Sequence, residues 1–185
     1  AARSAGAREV YLVGKPIAAA IGSQLPIERP LGNMVIDVGG GTTEVGIISL
    51  GGSVVSRCAQ VGGKHFDNAI TSWIRDRHNV LVGSRTSEDT KLKVGCAMSA
   101  EGSKTARVTG RDLSSGIPRE IEVTSDDVSE ALSDCLEQIV ECLRATLKDS
   151  PPELAADIID QGLVMCGGSA LLPGLDRYLR DRTGL

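Results

Sequence analysis

Val35-Ile36-Asp37-Val38-Gly39-Gly40-Gly41-Thr42-Thr43-Glu44-Val45 decides the fold of this chain. Met34 to Val38 is apolar except for one aspartate near its end, the composition of a strand at a sheet centre. Three glycines and two threonines then turn the chain, and Glu44 to Leu50 reads as a second strand. Gly51-Gly52 is a hairpin signal and Ser53 to Ala59 continues as a third strand, so the block is a meander. The turn has two readings. Lacking Cβ atoms, Gly39, Gly40 and Gly41 let a phosphate approach the backbone, whose successive N–H groups make an anion-binding nest. Thr42 and Thr43 add hydroxyl donors at the same rim. Asp37, at the strand end, is placed to hold a magnesium ion through its waters. On the other reading the glycines merely supply positive φ in a hairpin.

A second glycine turn lies far downstream, in Met165-Cys166-Gly167-Gly168-Ser169-Ala170-Leu171-Leu172. A strand from Gly162 to Cys166, a Gly-Gly turn and a helix from Leu171 to Asp181 would set helix N-terminal amides beside a ligand. The alternative is a tight strand-to-helix connection. Neither turn spells GxGxxG or GxxxxGK[ST], and the first feeds a strand, so a Rossmann fingerprint and a P-loop are rejected.

Between the turns the spacing predicts helices. Pro16 to Ile21 is short and stopped by Gly22. His65 to His78 places Phe66, Ala69, Ile70, Trp73 and Ile74 on one face. Thr86 to Met98 has Thr86 or Ser87 as cap. Asp126 to Lys148, capped by Ser125, carries an inward stripe from Val128 to Thr146, and Pro151-Pro152 opens another helix to Ile159. Thr105 to Thr109 and Glu120 to Thr124 read as short strands around a loop from Arg111 to Arg119.

With 185 residues the chain is long enough for a proper core, and its net charge of -4 argues against a phosphate-backbone binder. Tyr11, Phe66, Trp73 and Tyr178 are the only aromatics, too few for a base-stacking surface. No apolar run approaches the ~20 residues of a membrane span. Five scattered cysteines without a CxxC, and two histidines, provide no convergent metal set and fit buried thiols in a cytoplasmic protein.

The first glycine turn resembles the second phosphate loop of the actin-like ATPases. Pro16-Ile17-Ala18-Ala19-Ala20-Ile21-Gly22 upstream and Ser49-Leu50-Gly51-Gly52 downstream narrow the likeness, as do Arg111-Asp112-Leu113 and Cys166-Gly167-Gly168. Most diagnostic is Pro151-Pro152-Glu153-Leu154-Ala155-Ala156-Asp157-Ile158-Ile159-Asp160. Together they resemble the MreB family of rod-shape-determining bacterial actins, over nearly the whole chain.

The resemblance implies an α/β fold: an actin-like, ribonuclease-H-like lobe with a mixed sheet, flanking helices and a small α+β insertion. It implies a remnant of a first lobe with a connecting helix over 1–30, a main nucleotide-binding lobe over 31–63 and 125–185, and an inserted subdomain over 64–124. It implies ATP or ADP with Mg2+ as ligand, with Asp37 near the metal and Gly39, Gly40, Gly41, Thr42 and Thr43 near the outer phosphates. Glu88-Asp89-Thr90-Lys91 resembles the nucleoside-contacting helix; Glu88 and Lys91 share a helix face, although an exposed ion pair is the plainer reading of those two. Gly167, Gly168, Ser169 and Ala170 match the loop under the adenosine, with Ser169 where the family usually has a third glycine.

Two departures stand out. The family's first phosphate loop is not in the chain, so phosphates would be held from one side and left wet, which implies weak affinity. Gly14-Lys15 replaces a usual pair of glutamates, the second of which is thought to position the attacking water. A protonated lysine is no general base; Lys15 would hold a terminal phosphate or point to solvent. ATP turnover by this chain is therefore doubtful. The implied partners are further copies or full-length actin-like protomers, and the cell-shape and cell-wall synthesis machinery, at the inner face of the membrane through those partners, without direct membrane or nucleic-acid binding. The competing expectation is a non-catalytic filament- or partner-binding module on the same fold.

Overall fold

In the computed structural model, which describes residues 1–98 and 103–185, the chain runs α1 (Lys15–Gly22), β1 (Asn33–Val38), β2 (Thr43–Ser49), β3 (Gly52–Ala59), α2 (Gly63–His78), β4 (Val80–Leu81) and α3 (Ser84–Val94). It continues through β5 (Thr105–Asp112), β6 (Pro118–Thr124), α4 (Ser125–Lys148), α5 (Pro152–Gln161), β7 (Leu163–Cys166), a 3-10 turn (Gly168–Leu171) and α6 (Leu175–Thr183).

The period-2 alternation of the strands sorts the side chains into two cores. Met34, Ile36 and Val38 of β1 join Val45 and Ile47 of β2, Phe66, Ile70 and Ile74 of α2, and the stripe Val128 to Leu143 of α4. Val35 and Ile48 point to the opposite face, where they meet Ala20 of α1 and Ile27. The sheet has the order β3-β2-β1-β7 and is mixed: the meander is antiparallel, and β7 lies parallel to β1. A second sheet, β4-β5-β6, is antiparallel. The α/β expectation, with a mixed sheet, flanking helices and a small α+β unit, holds.

Several boundaries differ, each for a local reason. The cap of α4 is Thr124, not Ser125: Thr124 Oγ1 accepts from the Asp127 amide at 3.2 Å, and Asp127 Oδ2 accepts from the Thr124 amide at 2.8 Å. This reciprocal box satisfies two otherwise orphaned donors. Ser125 is buried and bonds Lys104 instead. Helix α3 starts at Ser84, because Ser87 is buried and bonds Thr71 Oγ1 on α2 at 2.7 Å instead of capping. It stops at Val94, where the Gly95 amide closes on Lys91 O. The expected loop from Arg111 to Arg119 shortens to a tip at 113–117, and β4, too short for a periodic signal, was not anticipated. Asp112 organises the tip by accepting from the Ser114 and Ser115 amides at 2.9 Å and from Arg119 at 3.1 Å.

Candidate functional site

Because β1 and β7 are parallel neighbours, with Asp37 opposite Cys166, both glycine turns leave the sheet at the same end. Ser169 Oγ donates to Gly39 O at 2.9 Å and fastens one turn to the other. The start of α2 closes from a third side: the Gly63 amide donates to Gly39 O at 3.0 Å and the Lys64 amide to Gly40 O at 2.7 Å. That approach needs glycine. A Cβ on Gly62 would lie 2.5 Å from Gly39 O, and one on Gly63 would lie 2.6 Å from Ser169 Oγ.

The first turn itself is different. None of Gly39, Gly40 and Gly41 has a left-handed φ, so the reading of these glycines as positive-φ hairpin residues fails. A Cβ built on Gly40 or Gly41 meets nothing within 4 Å, and one on Gly39 touches only Thr42 O at 3.1 Å. The fold does not require Gly40 or Gly41; their effect is to leave space in front of the backbone. Gly167 is the opposite case. Its φ is +90°, and a side chain there would run into Val38 O and Asp37 Oδ1.

A pocket of about 470 Å³ opens beside the turns. Of the residues singled out by sequence, Gly40, Glu88, Lys91, Gly168 and Ser169 line it, although they come from three separate segments. Lys91 is held in place by Asp67 Oδ1 at 2.7 Å and by Gly63 O at 3.2 Å, with both side chains of the ion pair only 14% exposed. Lys91 therefore pairs across to α2 instead of with Glu88, which stays exposed at the rim. Apolar walls come from Phe66, Leu92, Leu171 and Leu172.

Other expected residues stand elsewhere. Thr43 is fully buried and donates to Val61 O at 2.8 Å, so its hydroxyl is not at the rim. Thr90 is buried and bonds back to Thr86 O, and Asp89 is exposed; neither lines the pocket. Ala170 packs against the main core. The expected helix at Leu171 is a 3-10 turn, with Pro173 and a left-handed Gly174 delaying α6 to Leu175. Its amides are therefore not an α-helix N-terminus. Sequence reading missed Lys64, Asp67 and the Leu171-to-Pro173 wall; Gly62-Gly63 directly before a helix was the available signal.

On the other side of the turn, Lys15 Nζ lies 2.6 Å from Glu44 Oε1 and donates to Thr42 Oγ1 at 3.3 Å. Pro16 packs where a Cβ of Gly46 would be, and Glu44 is two residues along β2 on the same face. The hydrogen bond to Glu44 holds the Lys15 ammonium above its ordinary pKa, with burial opposing and Glu44 and Asp37 charges adding. Asp37 shares this face. Among the described residues no cluster of three or more His, Cys, Asp or Glu could hold a metal ion. The Asp37 carboxylate, at the strand end beside the glycine turn and opposite Glu44, could reach a magnesium ion through water.

This sheet, with two glycine turns at one end and an α-and-β unit inserted after the meander, is an actin-like lobe. It superposes on MreB 5 of Spiroplasma citri bound to AMPPNP with a TM-score of 0.96 at 38% identity, covering 100% of this chain and 55% of that one. The MamK double helical filament, at 22% identity and a TM-score of 0.74 over 92% of this chain and 50% of that one, shares the fold alone. The chain belongs to the MreB/Mbl family: the MreB/Mbl protein family model matches residues 1–185. It is 45% identical to the cell shape-determining protein MreB of Escherichia coli K12 over 184 residues, covering 100% of this chain and 53% of that protein. It is 43% identical to the cell shape-determining protein Mbl of Bacillus subtilis 168 over 181 residues, 98% of this chain and 54% of that protein. The chain thus spans about half the length of these relatives.

Proposed function

We propose that this lobe binds ATP or ADP with Mg2+, the nucleoside in the pocket between α2, α3 and the 3-10 turn and the phosphates along Gly39 to Thr42, as part of an actin-like protein of bacterial cell-shape control. One observation carries the reading: Gly40 and Gly41 have neither a φ nor a neighbour that demands glycine, and Gly40 borders a pocket of about 470 Å³. The solved relative of Spiroplasma citri is described bound to AMPPNP and to ADP, which supports an adenine nucleotide.

In this reading Gly40 and Gly41 give the phosphates close backbone approach, while Leu171 and Leu92 offer apolar contact to the base. Glu88 and Lys91 border the ribose, and Ser169 keeps the two turns at a fixed separation. Bound magnesium would supply charge neutralisation at the outer phosphates, with Asp37 as its protein-side anchor. Lys15, held protonated by Glu44, does not act as a base.

A second reading follows from that lysine: a lobe that binds nucleotide or partner without turnover, self-associating with copies or full-length protomers at the inner face of the membrane. No helix among the described residues is long and apolar enough to cross a membrane. Calorimetric titration of the chain with ATP and magnesium, repeated with Gly40→Val, tests binding; saturable heat that vanishes in the variant is expected, and no heat from folded protein overturns the nucleotide reading. Hydrolysis assayed with this lobe joined to the first lobe of a relative, with and without Lys15→Glu, separates the two readings: turnover favours the ATPase and silence of both forms the module.

A further inference from the structure

We propose that Lys15 is a specificity residue for the terminal phosphate: it makes this lobe prefer a nucleoside triphosphate over the diphosphate by moving from Glu44 to the third phosphate. The inference rests on the nucleotide reading above and adds a role for a residue that reading leaves idle.

The geometry is that of two ends of one turn. Gly40, Ser169 and Lys91 line the pocket on one side. Lys15 contacts Thr42 and Glu44 on the other. A nucleotide whose base and ribose occupy the pocket crosses the open faces of Gly40 and Gly41 and brings its last phosphate to Thr42. A diphosphate stops short of that point. The ammonium already waits there, within hydrogen-bond reach of the Thr42 hydroxyl.

Lys15 is also free to move. Its side chain is 56% exposed, whereas Glu44 is 20% exposed, so the carboxylate is the fixed partner and the lysine the mobile one. A lysine head is a point charge on a flexible four-carbon stem, able to rotate its three donors from carboxylate to phosphate without moving the backbone. The helix behind it cannot drift, because Pro16 is buried against Gly46. Glu44 then sets the threshold: a ligand must outbid one carboxylate, which a terminal phosphate with more charge does and bulk chloride does not.

The test is calorimetric titration of the whole chain with ATP and with ADP in magnesium buffer, comparing the natural sequence with Lys15→Met, Glu44→Gln and Gly40→Val. The natural chain is expected to favour ATP by about tenfold, the scale of one charge-assisted hydrogen bond. Lys15→Met should bring the two affinities to within about twofold, the residual effect of long-range charge, by weakening ATP and leaving ADP nearly unchanged. Glu44→Gln, which releases the ammonium, should widen the preference; rising salt should shrink it in the natural chain, because an exposed charge is screened. Urea midpoints of each variant report folding. A Lys15→Met ratio equal to that of the natural chain overturns the inference while nucleotide binding stands, as does a Glu44→Gln ratio at or below the natural one. Absence of nucleotide binding by the natural chain, or binding untouched by Gly40→Val, overturns the underlying reading and the inference with it.

Discussion

Ser169 donates its hydroxyl to the carbonyl of Gly39 across 2.9 Å, joining two glycine turns that are 130 residues apart in sequence. Parallel pairing of β1 with β7 brings the turns to one end of the sheet, and this bond ties one to the other. A third glycine in its place would leave the turns in contact only through the sheet and the start of α2.

Gly40→Val is expected to separate binding from folding. Gly40 has no left-handed φ and no atom within 4 Å of an added Cβ, so the urea midpoint should stay within the about 0.5 kcal/mol typical of surface changes. Nucleotide heat should vanish, because the branched side chain occupies the space in front of the turn. A midpoint that falls with binding intact would contradict both halves.

Gly62→Ala should do the reverse of a silent change. Its Cβ would sit 2.5 Å from Gly39 O and 3.0 Å from Gly40 C, both backbone atoms that cannot swing aside. Overpacking of this kind costs about 1–3 kcal/mol. Urea denaturation should show it, and nucleotide binding should weaken because the phosphate turn is displaced.

Thr124→Ala removes one half of the capping box on α4. A loss of about 1 kcal/mol is expected, with Thr124→Ser restoring most of it. Ser125→Ala should not act as a cap mutation, since that hydroxyl bonds Lys104. Thermal unfolding of the three variants checks the order.

Lys91→Met leaves Asp67 without its partner in a site only 14% exposed. Removing one member of a buried pair costs about 3 kcal/mol. Replacing both, with Asp67→Leu, should be milder than Lys91→Met alone. A double-mutant cycle on urea midpoints measures the difference.

Asp112 gives a pH dependence with a defined sign. The Ser115 amide first, then Arg119, hold its carboxyl down at about 2 against the ordinary 3.8. The unfolded chain takes up the proton first as pH falls. The carboxylate's contribution is therefore complete above about pH 4, and is lost as pH drops through about 2. The stability difference between the natural chain and Asp112→Asn should narrow in that window; a difference constant down to about pH 2 would show that the tip bonds do not favour the charged form.

Much of this was legible in the residue order. Met34 to Ala59 marks its own meander, because apolar runs and glycine punctuation are local properties. Helix α4 declares itself through its stripe, and Gly40 was singled out from its own turn, whereas Lys91 and Ser169 were singled out through the family resemblance. Three of the errors share one cause. Ser125 against Thr124, Ser87 as a cap, and Thr43 at the rim are all hydroxyls, and a hydroxyl serves equally as cap, rim donor or buried bond. Thr43 reaches Val61 and Ser87 reaches Thr71 only because distant elements pack against them.

The sequence by itself determined every strand but β4, the helices to within a few residues of their ends, and the two glycine turns, because hydrophobic period and backbone freedom depend on neighbours a few residues away. Only the tertiary structure decided that Glu44 pairs with Lys15, that Lys91 pairs with Asp67, and that Gly39 receives Ser169. Those partners are brought together by sheet pairing and helix packing across long stretches of chain, and a side chain's role in a site is fixed by what packing places within about 3 Å of it.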